Sequence, residues 1–247
     1  MRYAQKKLLI TSAIISLGLI NVAAAADLPS RTYSKAPPIL EAAYNWSGFY
    51  VGINGGGGTS RFDWSADGFG EEGSHHATGG TFGGQVGYRW QMSSMVFGLE
   101  AQGNWANFRG SNISLSTNPT LIGDQNQSKI NAFGLFTGQI GYAWDRALLY
   151  VKGGAAVTDN KYTTVGTLLV NPGFDSASET RWGATVGVGI EYAFAPSWSL
   201  GFEYDHLFMG TSDPVFVSGI SEHIKEDVDL FTVRLNYKFG GPVVARY

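Results

Sequence analysis

The chain contains no cysteine in its 247 residues, which excludes disulfides, thiol chemistry and a thiolate metal site. It has no basic excess either. Lys and Arg number 17 against 20 Asp and Glu, a formal net charge of −3, and without a basic cluster nucleic-acid binding is not expected. Only one long apolar run exists, Leu8 to Val22, and no later stretch approaches the ~18 apolar residues of a membrane helix. Proline is sparse, at 8, while glycine reaches 34 without a collagen period.

That single run has the layout of an export signal. Arg2, Lys6 and Lys7 precede it, and Ala24, Ala25 and Ala26 offer a small-residue cleavage site before Asp27. Residues 1–26 therefore read as a signal peptide and 27–45, with Pro29, Pro37 and Pro38, as an extended periplasmic leader. The remaining stretch, 46–247, reads as one domain. Loss of the signal removes three basic residues and no acidic ones, leaving 14 against 20, a net of −6.

What the domain does have is alternation. From Arg181 to Phe194 (RWGATVGVGIEYAF) Trp182, Ala184, Val186, Val188, Ile190, Tyr192 and Phe194 share one phase, and Arg181, Thr185 and Glu191 share the other. Successive side chains of a strand point to opposite faces, so such a segment has one oily and one polar side. Strands of soluble proteins average about 5–6 residues, whereas about 9–11 tilted residues span a bilayer. Eight such segments are expected, near 47–58, 79–91, 95–106, 130–143, 147–158, 180–194, 197–209 and 228–239. The gaps between them alternate, a few residues and then about twenty. That rhythm belongs to an up-and-down transmembrane barrel with tight periplasmic turns and long extracellular loops. An even strand count puts both termini in the periplasm.

Charge placement tests the assignment. With the lipid-facing phase set from apolar residues alone, Arg89, Glu100, Lys152, Arg181, Glu191, Glu203, Asp205, Arg234 and Lys238 fall on the inner phase. A lipid-facing Arg or Lys at mid-bilayer costs about 2–4 kcal/mol, enough to enforce this separation. Asp229 is the exception, where strand 8 leaves the outer rim. Strand 4 is ambiguous, because Phe133 and Leu135 share the polar phase with Thr137 and Gln139, and a bulge there is one resolution. Trp90, Trp144, Phe194, Trp198, Tyr237 and Phe239 gather near the short turns, as an interfacial aromatic girdle does.

Several segments resemble a known family. Asn45 to Gly56 (NWSGFYVGINGG), Gly138 to Arg146 (GQIGYAWDR), Leu149 to Gly154 (LYVKGG) and Val233 to Tyr247 (VRLNYKFGGPVVARY) are similar to the small outer-membrane immunogenic proteins of alphaproteobacteria, within the wider OmpA-like, porin-family barrels. The resemblance implies an abundant, surface-exposed, all-β, eight-stranded antiparallel barrel of the Gram-negative outer membrane. It implies a link to envelope integrity, with pore activity or haem binding suggested for some members. It also implies outer-membrane lipids, lipopolysaccharide and the barrel-assembly machinery as partners. Tyr237 and Phe239, with Tyr247 as a second candidate end, match the family's C-terminal assembly pattern. The chain departs from many relatives at Thr137 and Gln139, where those carry inner-face arginines.

The chemistry to expect is limited. An eight-stranded barrel is just wide enough for its own side chains, so the inner charges read as a paired network filling the lumen. The alternative is a narrow channel in which pairs such as Glu100 with Arg89 exchange partners. Glu203 and Asp205 share a face but lack substrate access. His206 faces lipid, yet Phe208 stands where a serine would complete a catalytic pair, so no enzyme activity is expected. Asn54 to Gly58 lacks the Gly-Lys-Ser/Thr of a phosphate loop. His75 and His76, with Glu71 and Glu72 nearby in the first long loop and His223 in the fourth, form a candidate haem or metal site. No resident cofactor is expected. The leading expectation is a non-enzymatic barrel serving envelope integrity and surface display. A narrow channel and a loop-borne receptor for haem or a host partner are the alternatives.

Overall fold

A computed structural model describes residues 44–66, 70–115, 124–166, 174–214 and 222–240. The signal, nearly all of the leader and Tyr247 lie outside the described residues. Eight strands follow in order: β1 (Gly48–Ala66), β2 (Gly70–Met92), β3 (Met95–Ile113), β4 (Gln125–Trp144), β5 (Ala147–Val165), β6 (Phe174–Ala195), β7 (Trp198–Ser212) and β8 (Glu222–Lys238). Every neighbour is antiparallel, and β8 returns to β1 from Tyr50 opposite Lys238 to Ala66 opposite Glu222, closing the barrel. Closure leaves no strand edge unpaired.

The turns at one end are tight. Ser93 and Asp145 open two of them with φ of 56° and 53°, the left-handed conformation that matches hairpin twist. Neighbouring hairpins are tied there by Ala143 N–H donating to Ser94 O (2.7 Å) and Ala193 N–H donating to Arg146 O (2.8 Å).

At the other end the strands run well beyond the expected boundaries, and the expected twenty-residue loops shrink accordingly. The cause is a reversal of polarity. Near the short turns apolar residues face out, in a belt bounded by Phe49, Trp90, Trp144, Phe194, Trp198 and Phe239. Its far edge is marked by Phe82, Trp105, Trp182, Phe208 and Phe231. Past that edge the two-residue period persists, but apolar residues turn inward and polar ones outward. On β5, Val151 and Val157 face out and Lys152 faces in, then Tyr162 faces in and Asp159 and Lys161 face out. Inward-facing Phe62, Trp64, Phe108, Ile130, Phe133, Leu135, Tyr162, Leu207, Ile224 and Leu230 build a water-style core. Burial of such side chains contributes about 1.5–3 kcal/mol each, which holds the strands together past the belt. Asp229 is the first outward residue of the reversed zone on β8, which accounts for its phase.

The β4 ambiguity resolves without a bulge between these residues: the register is continuous from Ala132 to Trp144, the one shift against β5 falls earlier, between Ile130 and Ala132, and Phe133 and Leu135 belong to the inner apolar core. Phe133 and Leu135 face inward with Thr137 and Gln139, and Phe136, Ile140, Tyr142 and Trp144 face out.

Candidate functional site

The lumen is stacked in layers, each set by which inward positions the strands present at that height. At the short-turn end, Tyr44 and Trp46 fold across the opening and pack on Val96, Ala143, Leu148, Tyr150 and Ala193. Trp46 N–H donates to Gln91 Oε1 at 2.7 Å. Lys238 donates to Asn45 O and sits 4.5 Å from the Tyr44 ring centroid. Burial and the nearby Glu191 carboxylate push the Tyr44 hydroxyl up to about 12, so it stays neutral. The cavity left between Tyr44, Trp46, Arg89, Glu191 and Lys238 measures about 10 Å³, at the lower limit for a single water.

Above it lies the charge layer. Arg89 pairs with Glu191 at 2.8 Å, and its guanidinium lies 4.4 Å from the Tyr50 ring centroid. Glu191 also accepts from Ser199 Oγ and from Asn236 Nδ2 (3.0 Å). Arg234 bridges Glu100 and Glu203. Lys152 lies 2.7 Å from Glu203, 3.2 Å from Asp205 and 3.6 Å from Glu100. Tyr50 O–H donates to Glu100 and Tyr150 O–H to Glu203, each at 2.6 Å. Three cations, Arg89, Lys152 and Arg234, thus face four carboxylates, Glu100, Glu191, Glu203 and Asp205, all buried. A buried ion pair is favoured when hydrogen bonds satisfy its remaining atoms. The two tyrosines and Ser199 supply part of these, while both Asp205 oxygens, Glu100 Oε1 and the Nε atoms of Arg89 and Arg234 have no hydrogen bond among the described residues. Glycine makes room for the tyrosines: a Cβ at Gly189 would stand 2.3 Å from the Tyr150 ring, and one at Gly87 2.5 Å from that of Tyr50.

An amide layer comes next. Asn54 donates to Gln85 Oε1 (2.7 Å), Gln85 to Asn236 Oδ1 (2.7 Å), and Asn104 to Asn54 Oδ1 (2.6 Å). Neutral inward Asn and Gln gave no charge signal in the sequence. Their place on the polar phase of each strand was the available clue.

The nine expected inner charges do not form one network. Arg181 stands apart in the upper core, 3.3 Å from Glu226 and donating to Gly210 O at 2.7 Å. Asn160 adds a 2.6 Å bond to Glu226. Glu226 was missed because it lies in the reversed zone, where the expected strand had not begun. Lys238 belongs to the mouth. The pair Glu100 with Arg89 is not made: each has another partner.

The histidines are corrected too. His75 and His76 lie within β2, not in a loop, and point to opposite sides of the sheet, His75 buried and His76 exposed. Strand alternation keeps their rings from converging on one iron or metal ion. His75 instead meets Asn112 at 2.9 Å and stacks on Phe62. His223 is in β8, bonded to Asp213. No group of three or more metal-ligating side chains occurs among the described residues. His206 has a partner unseen in the sequence, Asp229 at 2.7 Å, which also accepts from Tyr204 O–H at 2.6 Å. Its ladder neighbours are Val186 and Asp229, with Phe208 against the ring. These supply no nucleophile. The Tyr237 and Phe239 rings meet edge to face at 5.1 Å, beside the mouth.

The chain is similar to several outer-membrane proteins. The chain is 31% identical over 247 residues to the 31 kDa outer-membrane immunogenic protein of Brucella melitensis, covering 92% of this chain and 98% of that one. It is 31% identical over 182 residues to the 22 kDa outer membrane protein of Rhizobium leguminosarum, covering 73% and 72%. Among solved structures, the outer membrane protein OprG of Pseudomonas aeruginosa superposes with a TM-score of 0.47 at 14% identity, over 79% of this chain and 97% of that one. The outer membrane protein beta-barrel domain family matches residues 12–239. The outward apolar belt therefore faces outer-membrane lipid, the short turns face the periplasm, and the chain belongs to the outer membrane protein beta-barrel domain family.

Proposed function

We propose that this protein is a non-conducting, non-enzymatic barrel that reinforces the outer membrane and displays a raised β-extension at the cell surface. One observation carries the reading: the lumen is blocked at both ends and filled between them. Trp46 and Tyr44 close the periplasmic mouth, the charge and amide layers occupy the bilayer span, and the aromatic core around Phe62, Trp64 and Tyr162 fills the outer part. Solute passage would require breaking buried ion pairs and displacing that core together, at a cost of several kcal/mol per pair. The same packing denies a substrate access to Glu203 and Asp205, and the outward His206 and Asp229 lack a nucleophile. With a closed interior, the surfaces left for function are the lipid-facing belt and the exposed extension.

Planar-bilayer recording tests this. The purified barrel is expected to stay silent across voltage, and reproducible single-channel steps would replace the reading with a narrow channel.

A further inference from the structure

The exposed charges of the extension are not evenly mixed. On β1 and β8 the outward cations of the extension have an acid beside them, Arg61 with Asp63 at 3.1 Å and Lys225 with Asp227 at 3.7 Å. On the opposite wall the pattern fails. Arg109 of β3 is directly opposite Lys129 of β4, which is directly opposite Lys161 of β5. The three cations stand abreast on the outer surface, and none has a carboxylate within ion-pair distance among the described residues. The nearest outward acid in sequence, Asp159, is engaged by Asn131 Nδ2 at 3.3 Å. Like charges directly opposite on a sheet destabilise it, so the row lacks the compensation that its own fold supplies elsewhere.

Its height and shape indicate what would compensate it. Arg109 lies four residues beyond the interfacial Trp105, and Lys161 four beyond the outward Val157. Four residues advance ~13 Å along a strand, or ~9 Å along the membrane normal at a tilt of ~45°. That is headgroup depth, and long basic side chains reach back toward the interface. The row also lines a groove of about 520 Å³, completed by Ser111, Gln127 and Thr163, whose hydroxyl and amide groups can hydrogen-bond phosphate oxygens.

We propose that Arg109, Lys129 and Lys161 form a binding site for the phosphorylated headgroup of an outer-leaflet glycolipid. The acyl chains of that lipid lie on the apolar strip below, past Trp105, Leu99 and Val151. Lipid is the occupant because, below a single intervening row of Asn107, Asn131 and Asp159, the same outward face turns apolar at Trp105 and Val157. A soluble anion or an extended polysaccharide would gain nothing from that apolar face.

The test uses the full mature barrel in neutral detergent micelles, titrated with diphosphorylated lipid A and followed by native mass spectrometry. The variant R109Q/K129Q/K161Q is compared with R61Q/K225Q, which removes two cations from the paired wall. Heat-modifiable gel migration checks that both are folded. The expected result is a loss of roughly fivefold per cation, on the order of a hundredfold for the triple variant, with R61Q/K225Q within about twofold of the parent. Dephosphorylated lipid A should bind as weakly to the parent as the phosphorylated form does to the triple variant. Equal lipid affinity in the triple variant, or equal binding of the dephosphorylated lipid, overturns the proposal. Displacement of the lipid by low-millimolar inorganic phosphate makes the row a free-anion site. Binding of heparin without binding of lipid makes it a polysaccharide site. Either result overturns the lipid assignment.

Discussion

Replacing Arg234 by Met probes the filled lumen most directly. Arg234 is fully buried and bridges Glu100 and Glu203. Its loss leaves Glu100, Glu203 and Asp205 around one cation, Lys152, at 3.6, 2.7 and 3.2 Å. Removing one partner of a buried pair costs about 3–5 kcal/mol, two to three and a half decades in the unfolding equilibrium at roughly 1.4 kcal/mol per decade. With a urea dependence of about 1–3 kcal/mol per molar, the midpoint should fall by roughly 1 M or more. Urea titration of detergent-folded protein, followed by tryptophan fluorescence and gel migration, reads this shift. The triple variant R234M/E100Q/E203Q keeps Lys152 opposite Asp205 alone and should recover most of the loss, because neutralising a whole buried set is often nearly neutral. A midpoint for R234M indistinguishable from the parent would refute the reasoning, since it would mean that water already reaches these carboxylates.

Three further outcomes are expected. Nitroxide labels at positions 186, 188 and 190, outward on β6, should be accessible to oxygen and shielded from a water-soluble nickel chelate; the reverse would remove the lipid-facing assignment. Gly189→Ala should cost about 1–3 kcal/mol through overpacking against the Tyr150 ring, and clearly less in a Tyr150→Leu background; an equal cost in both would assign the effect to backbone. Phe62→Ala, at the centre of the upper core, should cost about 3–5 kcal/mol and speed proteolysis of the extension while the membrane portion remains heat-modifiable. Unchanged cleavage would show that this core does not hold the extension together.

The strand order, closure and inner placement of the charges were legible because lipid imposes a strong rule: a two-residue period with oil outside. Val186, Val188 and Ile190 announce it by themselves. Strand ends were not legible by the same rule, because beyond Trp105 and Phe231 water replaces lipid and the favoured phase inverts. Tyr162 and Ile224 then look like loop residues when they are core. The pairing was also hidden. Which carboxylate Arg89 meets depends on register and on reach across the lumen, so Glu191, 102 residues away, carries no local mark. His75 and His76 misled because adjacency along the chain was read as adjacency in space, which a strand denies.

The inverted zone also bears on how the molecule can change over time. From Phe231 to the start of β8 at Glu222 the sheet climbs ~30 Å along the strand, or ~20 Å outward at a tilt of ~45°. The tips ride on a pedestal whose cohesion comes from water, while the base draws its own from lipid. Substitutions at the summit are thereby insulated from the anchoring half, so the exposed crown can diversify without unsettling insertion.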